Sequence, residues 1–326
     1  CIEIGHAGGN VRRRRVVPAA YSFGMNHTRL HGVWAAALTP LNEDMLPDPV
    51  RGAAHIDRLL TAGCHGVVVF GTTGEAPSFA VAERIAYLDG LAAAGIATGR
   101  LIVGTGCPAL PDTIALTRHA AAAGAAGALV LPPYFYKGPS DDGLLAAFCR
   151  VLEAAGTAAT PLLLYNIPQQ SGIALPPSLL ARLVDGFGDA VGGIKDSSGD
   201  RASLAAYLSV ADGVFAGTED LLLPFLDTGL AGCITATGNV NPQGIRAVYD
   251  AGRAGGPDAT ALQAGAAAVR AIFAGAPMIP ALKAVLARLA ADPGWSRLRP
   301  PFSAADVPDP GPLLERLRHA GWEPPF

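Results

Sequence analysis

The sequence predicts an α/β fold: a (β/α)8 TIM barrel followed by a C-terminal helical extension. From residue 30 onward, a cycle of an apolar run, a Gly/Pro/Ser/Thr turn and an Ala/Leu-rich helical stretch repeats eight times. The apolar runs are continuous, which is typical of parallel strands buried on both faces. Residues 32–254 supply close to the about 250 residues that eight such units need. Eight βα units in succession favour a closed barrel.

The predicted strands are short apolar runs that end in small or polar residues. A helical stretch follows each of them along the chain, as parallel neighbours require. In chain order the strands are Gly32–Thr39, Gly66–Gly71, Leu101–Gly106, Ala128–Leu131, Pro161–Asn166, Val191–Lys195, Gly213–Gly217 and Gly232–Thr237.

The predicted helices between the strands combine good helix formers with amphipathic spacing, as in residues 81–88. Capping residues or prolines mark helix starts at Ser78, at Asp112 and at Pro176-Pro177-Ser178. The main competing topology, a doubly wound open sheet, requires a Gly-x-Gly-x-x-Gly turn after the first strand. Thr39-Pro40-Leu41-Asn42 stands at that point, so the barrel is favoured.

Three segments are predicted: a tail over residues 1–27, the catalytic barrel over 28–254 and a helical domain over 255–326. The first begins with Cys, contains four successive arginines from Arg12, and has neither a helix nor a strand period. We expect it to be a disordered tail, or an upstream extension of a gene product that starts at Met25. A basic docking arm is the alternative. The helical domain is predicted to contain helices at roughly 257–274, Pro277–Ala291 and 311–320.

Composition excludes several classes of protein. The net charge of −3 argues against a nucleic-acid partner. The apolar runs fall short of the roughly 20 residues of a membrane span, so no membrane partner is expected. Five scattered cysteines contain no Cys-x-x-Cys pair, which argues against a zinc ribbon or a disulfide framework and for a cytoplasmic location; they are Cys1, Cys64, Cys107, Cys149 and Cys233.

Lys195 is the first candidate catalytic residue. Only three of the 24 basic Lys and Arg residues are lysines, and Lys195 ends the sixth predicted strand, where a barrel has its active-site mouth. A lysine amine, unlike a guanidinium, can lose its proton and attack a carbonyl. The alternative is a lysine held in a structural ion pair, with Asp196 as its partner.

Tyr165 lies at the end of the fifth predicted strand, next to the strand of Lys195. Successive side chains of a strand point to opposite faces. This alternation predicts that one face of the fifth strand carries Tyr165, Leu163 and Pro161, and that one face of the sixth carries Lys195, Gly193 and Val191. Strands about 4.8 Å apart bring the phenol and the amine within reach if both point inward. A phenol there would carry protons during carbonyl addition. The alternative is a barrel tyrosine with its hydroxyl satisfied internally.

Thr72 and Thr73 end the second predicted strand and are followed by Gly74. Their hydroxyls, with backbone N–H groups before a helix start, are typical of a carboxylate site, although a turn without a ligand has the same sequence. An amine, a neighbouring phenol and a carboxylate site together indicate Schiff-base chemistry on a 2-keto acid. The sequence itself offers Gly74, Glu75 and Glu219 as further strand-end candidates.

Three stretches resemble the signatures of the dihydrodipicolinate synthase/N-acetylneuraminate lyase family of class I aldolases. They are Gly71-Thr72-Thr73-Gly74-Glu75, Tyr165-Asn166-Ile167-Pro168 and Gly193-Ile194-Lys195-Asp196, in the family's order and spacing. The resemblance extends from about residue 30 to the C-terminal helices. It implies a barrel with a helical C-terminal domain and a homotetramer built as a dimer of dimers.

The same resemblance implies roles for individual residues. Lys195 would form the imine with pyruvate or a similar keto acid, without any other cofactor or metal. Tyr165 would relay protons, and Thr72 and Thr73 would hold the carboxylate. Two further positions resemble those that line the keto-acid pocket, Gly217 and Ile234.

Two departures from the family pattern bear on the second substrate. Gln170 stands where the synthases have an arginine that holds a carboxylate, and Phe135 stands where they have a relay tyrosine borrowed across a dimer interface. Tyr134 and Tyr136 flank Phe135, and we take Tyr136 as a candidate substitute. Loss of a bidentate cation disfavours a dicarboxylate or amino-acid aldehyde. Ala236 stands where neuraminate lyases have a hydroxyl that contacts the sugar.

The predicted function is a Schiff-base lyase or aldolase on pyruvate and an aldehyde, or on a 2-keto-3-deoxy sugar acid, with dehydration included. The alternative in the same family is 4-hydroxy-tetrahydrodipicolinate synthase. A metal-dependent aldolase would need ligands at strand ends, but His55, His65 and His119 lie in or beside helical stretches. A non-catalytic pyruvate-binding regulator is the alternative from another class.

Overall fold

The computed structural model describes residues 30–156, 160–275 and 277–325. Eight parallel strands in this part form a closed barrel in which each strand pairs with its neighbours in chain order and the eighth pairs with the first. The predicted (β/α)8 class is therefore confirmed. The strands are β1 (Gly32–Ala36), β2 (Gly66–Val69), β3 (Leu101–Gly104), β4 (Gly127–Val130), β5 (Leu162–Asn166), β6 (Val191–Asp196), β7 (Val214–Ala216) and β8 (Gly232–Thr235).

Helices connect the strands and continue beyond the barrel. Several begin with a proline in the first turn, where its missing N–H costs no hydrogen bond. They are α1 (Pro49–Thr61), α2 (Val81–Ala93), α3 (Leu110–Ala122), α4 (Asp141–Ala155), α5 (Pro168–Ser171), α6 (Pro177–Phe187), α7 (Arg201–Leu208), α8 (Leu222–Leu226), α9 (Pro242–Ala254), α10 (Ala259–Phe273), α11 (Met278–Leu289) and α12 (Pro310–His319).

Most predicted strands start at or within one residue of the observed start and end one to three residues too late, because the residues after each strand leave the sheet to form the mouth loops. The prediction that Ser78 opens a helix was wrong. A short 3₁₀ turn, Ala76–Ser78, precedes α2, which begins at Val81 with Ala80 as its N-cap. The predicted tail over 1–27 lies outside the described residues, and the segment limits at 254 and 255 stay predictions.

Apolar side chains on the two faces of the sheet enter separate cores. Leu163, Tyr165 and Ile234 belong to a cluster inside the barrel, whereas Leu162 and Leu164 pack outward against the helices. This is why the strands are continuously apolar rather than alternating. Outside the barrel, side chains of α10, α11 and α12 form a third cluster with Trp295, Leu38 and Val240. Leu38 follows β1 and Val240 follows β8, so these helices cover part of the barrel mouth.

A β-bulge in β6 sets which side chains of that strand point inward. Leu162 pairs with Val191 and Leu163 with Gly193, which leaves Gly192 without a partner in β5. Val191 consequently packs in the outer core, although strict alternation along the sequence predicts that it shares the face of Lys195. That part of the prediction was wrong, because one inserted residue shifts the alternation by one.

No single helix among the described residues is long and apolar enough to cross a membrane. The helices α10 and α11 reach the required length and composition only when taken together, across a bend of 105°.

Candidate active site

Lys195 and Tyr165 lie side by side at the carboxyl end of the barrel. They are register partners in the β5–β6 pair, and both are buried. The Lys195 Nζ donates a hydrogen bond of 3.2 Å to the Tyr165 hydroxyl and lies 4.3 Å from the centre of its ring. A protonated lysine amine over an aromatic ring is attracted by the negative face of the ring. The structure thus brings together the two residues that the sequence singled out on neighbouring strands.

Thr72 extends this contact to the second strand. Its hydroxyl shares a hydrogen bond of 3.1 Å with the Tyr165 hydroxyl. The Tyr165 oxygen therefore lies between an amine and an alcohol, and a continuous hydrogen-bonded chain runs from Lys195 through Tyr165 to Thr72. Such a chain can transfer protons without moving a heavy atom.

A cavity opens beside Tyr165 at the ends of β2, β3 and β4. Its empty volume, including its open mouth, is about 320 Å³, and Thr72 and Tyr165 lie in its wall. Lys195 does not line this cavity and connects with it through Tyr165. Besides those two side chains the wall consists of Phe70, Gly71, Ala76, Pro77, Gly104, Gly106, Leu129 and Leu131.

Asp196 does not serve as the ion-pair partner that the alternative interpretation of Lys195 required. Its carboxylate accepts hydrogen bonds from the Asn166 amide at 2.8 Å, from the Ser198 N–H at 3.0 Å and from the Ser198 hydroxyl at 3.0 Å. Successive strand residues point to opposite faces, so Asp196 points away from the barrel interior that Lys195 faces. It stabilises the loop after β6 instead.

The loop from Gly71 to Glu75 is a tight turn. The Glu75 N–H donates to the Thr72 carbonyl at 3.0 Å, and Thr73 is buried. Gly74 packs against the backbone of Ala37, where a Cβ would lie 3.0 Å from the carbonyl oxygen. The expected helix start does not follow directly, because the 3₁₀ turn Ala76–Ser78 intervenes. The hydroxyls and the turn remain candidate groups for binding a carboxylate.

Gly217 and Ile234 border the same end of the barrel. A Cβ on Gly217 would lie 2.0 Å from the Ser197 hydroxyl oxygen, so only glycine fits beside the loop that follows Lys195. Ile234 is fully buried in the interior cluster that also contains Tyr165. Both positions are therefore near the Lys195–Tyr165 pair.

Glu219 is fully buried in a hydrogen-bonded network at the ends of β7 and β8. Its carboxylate accepts from the Thr235 hydroxyl at 2.5 Å and from the Thr237 hydroxyl, and Arg270 of α10 lies 3.2 Å away. The Gln263 amide also donates to its main-chain carbonyl at 3.0 Å. In this arrangement Glu219 connects the barrel to α10.

Tyr136 and Gln170 lie outside the buried group around Lys195. The side chain of Tyr136 is 80% exposed, that of its neighbour Phe135 is 72% exposed, and Gln170 is exposed as well. The rings of Phe135 and Tyr136 stack edge to face at 5.3 Å. The single chain therefore does not bring these residues into the buried group around Lys195.

The sequence interpretation missed Lys283 and Arg270. Lys283, in α11, is fully buried and lies 2.5 Å from the Glu75 carboxylate. The sequence contains a signal that Lys283 is buried and paired: it is one of only three lysines, and it stands in an otherwise apolar stretch from Pro280 to Leu286. Arg270 stands among many surface arginines and carried no such signal.

Sequence comparison assigns the chain to a family. The model of the dihydrodipicolinate synthetase family matches residues 29–307. The chain belongs to this family. Its relatives include an uncharacterized DapA-like lyase of Chloroflexus aurantiacus, 40% identical over 260 residues that cover 78% of this chain and 85% of the relative. Another is a 4-hydroxy-tetrahydrodipicolinate synthase of Parasynechococcus marenigrum, 34% identical over 67% of this chain and 72% of the relative.

Solved structures of the dihydrodipicolinate synthetase family share the fold. A dihydrodipicolinate synthase from Agrobacterium tumefaciens has a TM-score of 0.80 and 31% identity, over 89% of this chain and 99% of that one. YagE of Escherichia coli, solved in complex with pyruvate, has a TM-score of 0.81 and 28% identity, over 90% of this chain and 99% of that one. The protein is accordingly an enzyme, a lyase of this family with class I aldolase-like character.

Proposed function

We propose that the protein forms a Schiff base between Lys195 and pyruvate or a related 2-keto acid, and cleaves or forms a carbon–carbon bond through it. The hydrogen-bonded chain from Lys195 through Tyr165 to Thr72 carries this proposal. It joins the amine of Lys195, the phenol of Tyr165 and the hydroxyl of Thr72 in one group, which supports their assignment as nucleophile, proton carrier and carboxylate-binding group. The pyruvate complex of YagE supports the choice of keto acid.

In the proposed first step the neutral Lys195 amine attacks the keto carbon and a C–N bond forms. Tyr165, 3.2 Å from the amine, transfers the proton that the nitrogen gives up toward the former carbonyl oxygen. The nitrogen then gives up its second proton to that oxygen, again through Tyr165; the C–O bond breaks with release of water, and the nitrogen lone pair forms the C=N bond of the imine. Thr72 and Thr73 hold the substrate carboxylate with their hydroxyls, which fixes the keto carbon for attack.

The imine then activates the neighbouring carbon. Transfer of a proton from that carbon to the nitrogen gives an enamine. Its carbon attacks the aldehyde of a second substrate, the nitrogen proton passes to the aldehyde oxygen, and hydrolysis of the new imine restores Lys195. Run in reverse, the same steps cleave a 2-keto-3-deoxy sugar acid; loss of a hydroxyl group instead gives dehydration. The covalent imine is the electron sink, so the proposed chemistry requires neither a metal nor an added cofactor.

A second candidate is 4-hydroxy-tetrahydrodipicolinate synthase, the name carried by several relatives. The uncharged, exposed Gln170 and the hydroxyl-free Phe135 weigh against it. Restored growth of a lysine-requiring strain that lacks this enzyme would establish the synthase, and no restored growth would favour a different aldehyde.

Reductive trapping tests the proposed imine. The protein is incubated with pyruvate, reduced with borohydride and weighed by mass spectrometry. We expect a gain equal to pyruvic acid less one oxygen atom, located on the peptide that contains Lys195. The matched variant K195R retains a positive charge but cannot form an imine, and it should gain no mass. An unmodified wild-type protein, or an adduct on Lys137 or Lys283, would refute the proposal.

We also propose that the protein acts as a homotetramer in the cytoplasm. The exposed Phe135 and Tyr136 support a contact between subunits, because a stacked aromatic pair is seldom left in water. The free cysteines Cys64, Cys107 and Cys233 support a reducing compartment. Light scattering on the purified protein tests the tetramer, and a monomeric mass would overturn it.

A further inference from the structure

Two non-glycine residues in left-handed conformation bracket the loop that carries Thr72 and Thr73. Phe70 has φ 56° at its start and Glu75 has φ 55° at its end. This conformation is unfavourable for residues with a Cβ and persists only where the surroundings enforce it. The hydroxyls at the barrel mouth therefore depend on whatever holds these two residues.

Phe70 is held by packing. Its ring meets the rings of Phe79 and Tyr87 edge to face at 5.8 and 5.2 Å, and all three side chains are buried. Edge-to-face aromatic pairs stabilise a fixed geometry. The start of the loop thus rests on an apolar cluster within the barrel domain.

Glu75 is held by an ion pair with the C-terminal helices. Lys283 Nζ lies 2.5 Å from Glu75 Oε1, and the two side chains are 0% and 2% exposed. Lys283 also donates to the Arg297 carbonyl at 2.9 Å. Burial lowers the pKa of Lys283, and the neighbouring Glu75 acts against that shift. Neither oxygen of the Glu75 carboxylate has a hydrogen-bond partner elsewhere in the described part of the chain.

Arg299, which follows α11, contacts the chain just after Glu75. Arg299 donates to the Ser78 carbonyl at 2.9 Å and forms an ion pair with Glu83 at 2.5 Å. The loop therefore has a second attachment to the C-terminal helical region, independent of Lys283. Together these contacts couple that region to the turn next to Thr73.

We propose that Glu75 and Lys283 are positioning residues, whose buried ion pair keeps Thr72 and Thr73 in the conformation that binds the keto-acid carboxylate. The pair acts by holding the left-handed turn at Glu75, two residues after Thr73. This inference rests on the proposed imine function and assigns the C-terminal helices a part in substrate binding.

The test compares E75Q, the double variant E75Q/K283M and the control D142N. E75Q keeps the size of the side chain but removes its charge, and the double variant leaves no unpaired buried charge. Asp142 forms an exposed ion pair with Arg182 at 2.9 Å, and neither residue has a proposed role in the site. For each protein the pyruvate concentration that gives half-maximal borohydride trapping is measured, together with trapping at saturating pyruvate and the thermal unfolding midpoint.

We expect the half-saturating pyruvate concentration to rise about tenfold in E75Q and in the double variant, with trapping at saturation close to that of the wild type. D142N should match the wild type in the half-saturating pyruvate concentration and in trapping at saturation. A lower unfolding midpoint with unchanged half-saturation would mean that the pair is structural only and would overturn the inference. Wild-type protein that traps no pyruvate would instead overturn the proposed function, so the two failures are distinguishable.

Discussion

The Tyr165 hydroxyl and the Lys195 amine are 3.2 Å apart, and the same amine lies 4.3 Å from the centre of the Tyr165 ring. One tyrosine thus contacts the lysine through both its polar end and its aromatic face. In the proposed mechanism the face orients the amine and the hydroxyl exchanges protons with it. Because these two contacts are separable by mutation, the role of the hydroxyl can be measured without removing the ring.

Y165F removes the hydroxyl and keeps the ring. We expect the rate of pyruvate trapping to fall by about 10²- to 10⁴-fold, the usual effect of a lost general acid–base group. Stopped-time borohydride quenching measures this rate. Y207F is the control, because the Tyr207 hydroxyl donates to the Leu175 carbonyl within the protein and is also buried. Equal rates in Y165F and wild type would exclude Tyr165 as the proton carrier.

T72V removes the hydroxyl that bonds to Tyr165 and leaves a side chain of similar size. We expect about a tenfold slower trapping rate, which corresponds to a loss of about 1.4 kcal/mol, within the range that a hydrogen bond of this kind contributes. T72S retains a hydroxyl and should stay within about threefold of the wild type, allowing for the lost methyl group. If T72S and T72V are equally slow, the hydroxyl is not what matters at this position.

R270M should destabilise the fold. It leaves the fully buried Glu219 carboxylate without its cation, although the Thr235 and Thr237 hydroxyls still donate to it. We expect urea unfolding to show a loss of about 3 kcal/mol. D142N, which breaks an exposed pair, should change stability by less than about 1 kcal/mol. A loss in R270M no larger than in D142N would show that the hydroxyls alone satisfy Glu219.

Stability should fall in mild acid because of His55. Burial lowers the pKa of its imidazole to about 4 from an ordinary 6.5, while its hydrogen bond to Asn239 acts in the other direction. Between these values the unfolded chain binds a proton that the folded protein does not, so stability is full above the unfolded pKa and declines as pH falls toward 4. Between about pH 7 and about pH 5 the loss from this group is roughly 2 kcal/mol.

H55Q tests this assignment, since glutamine does not titrate. The difference in unfolding free energy between the two pH values should shrink by roughly 2 kcal/mol relative to the wild type. H119Q is the control, because His119 pairs with Asp89 at the surface. An undiminished pH dependence in H55Q would assign the acid sensitivity to other groups.

Much of the fold and of the site follows from the sequence because its signals are local. Continuous apolar runs, turn residues and helical stretches identify a parallel barrel, since each depends only on neighbours in the chain. A barrel then brings strand ends to one rim, which is why Lys195, Tyr165 and Thr72 could be associated before any geometry was known. Their contacts in the structure agree with that grouping.

What only the tertiary structure decided concerns residues whose surroundings come from distant segments. The bulge at Gly192 moved Val191 to the outer face, because strand pairing and not alternation alone sets the register. Asp196 bonds to Asn166 and Ser198 rather than to Lys195. Glu75 forms its ion pair with Lys283, which lies more than 200 positions further along the chain. Sequence periodicity specifies which face a side chain takes, whereas the partner of a buried charge depends on how separate elements pack together.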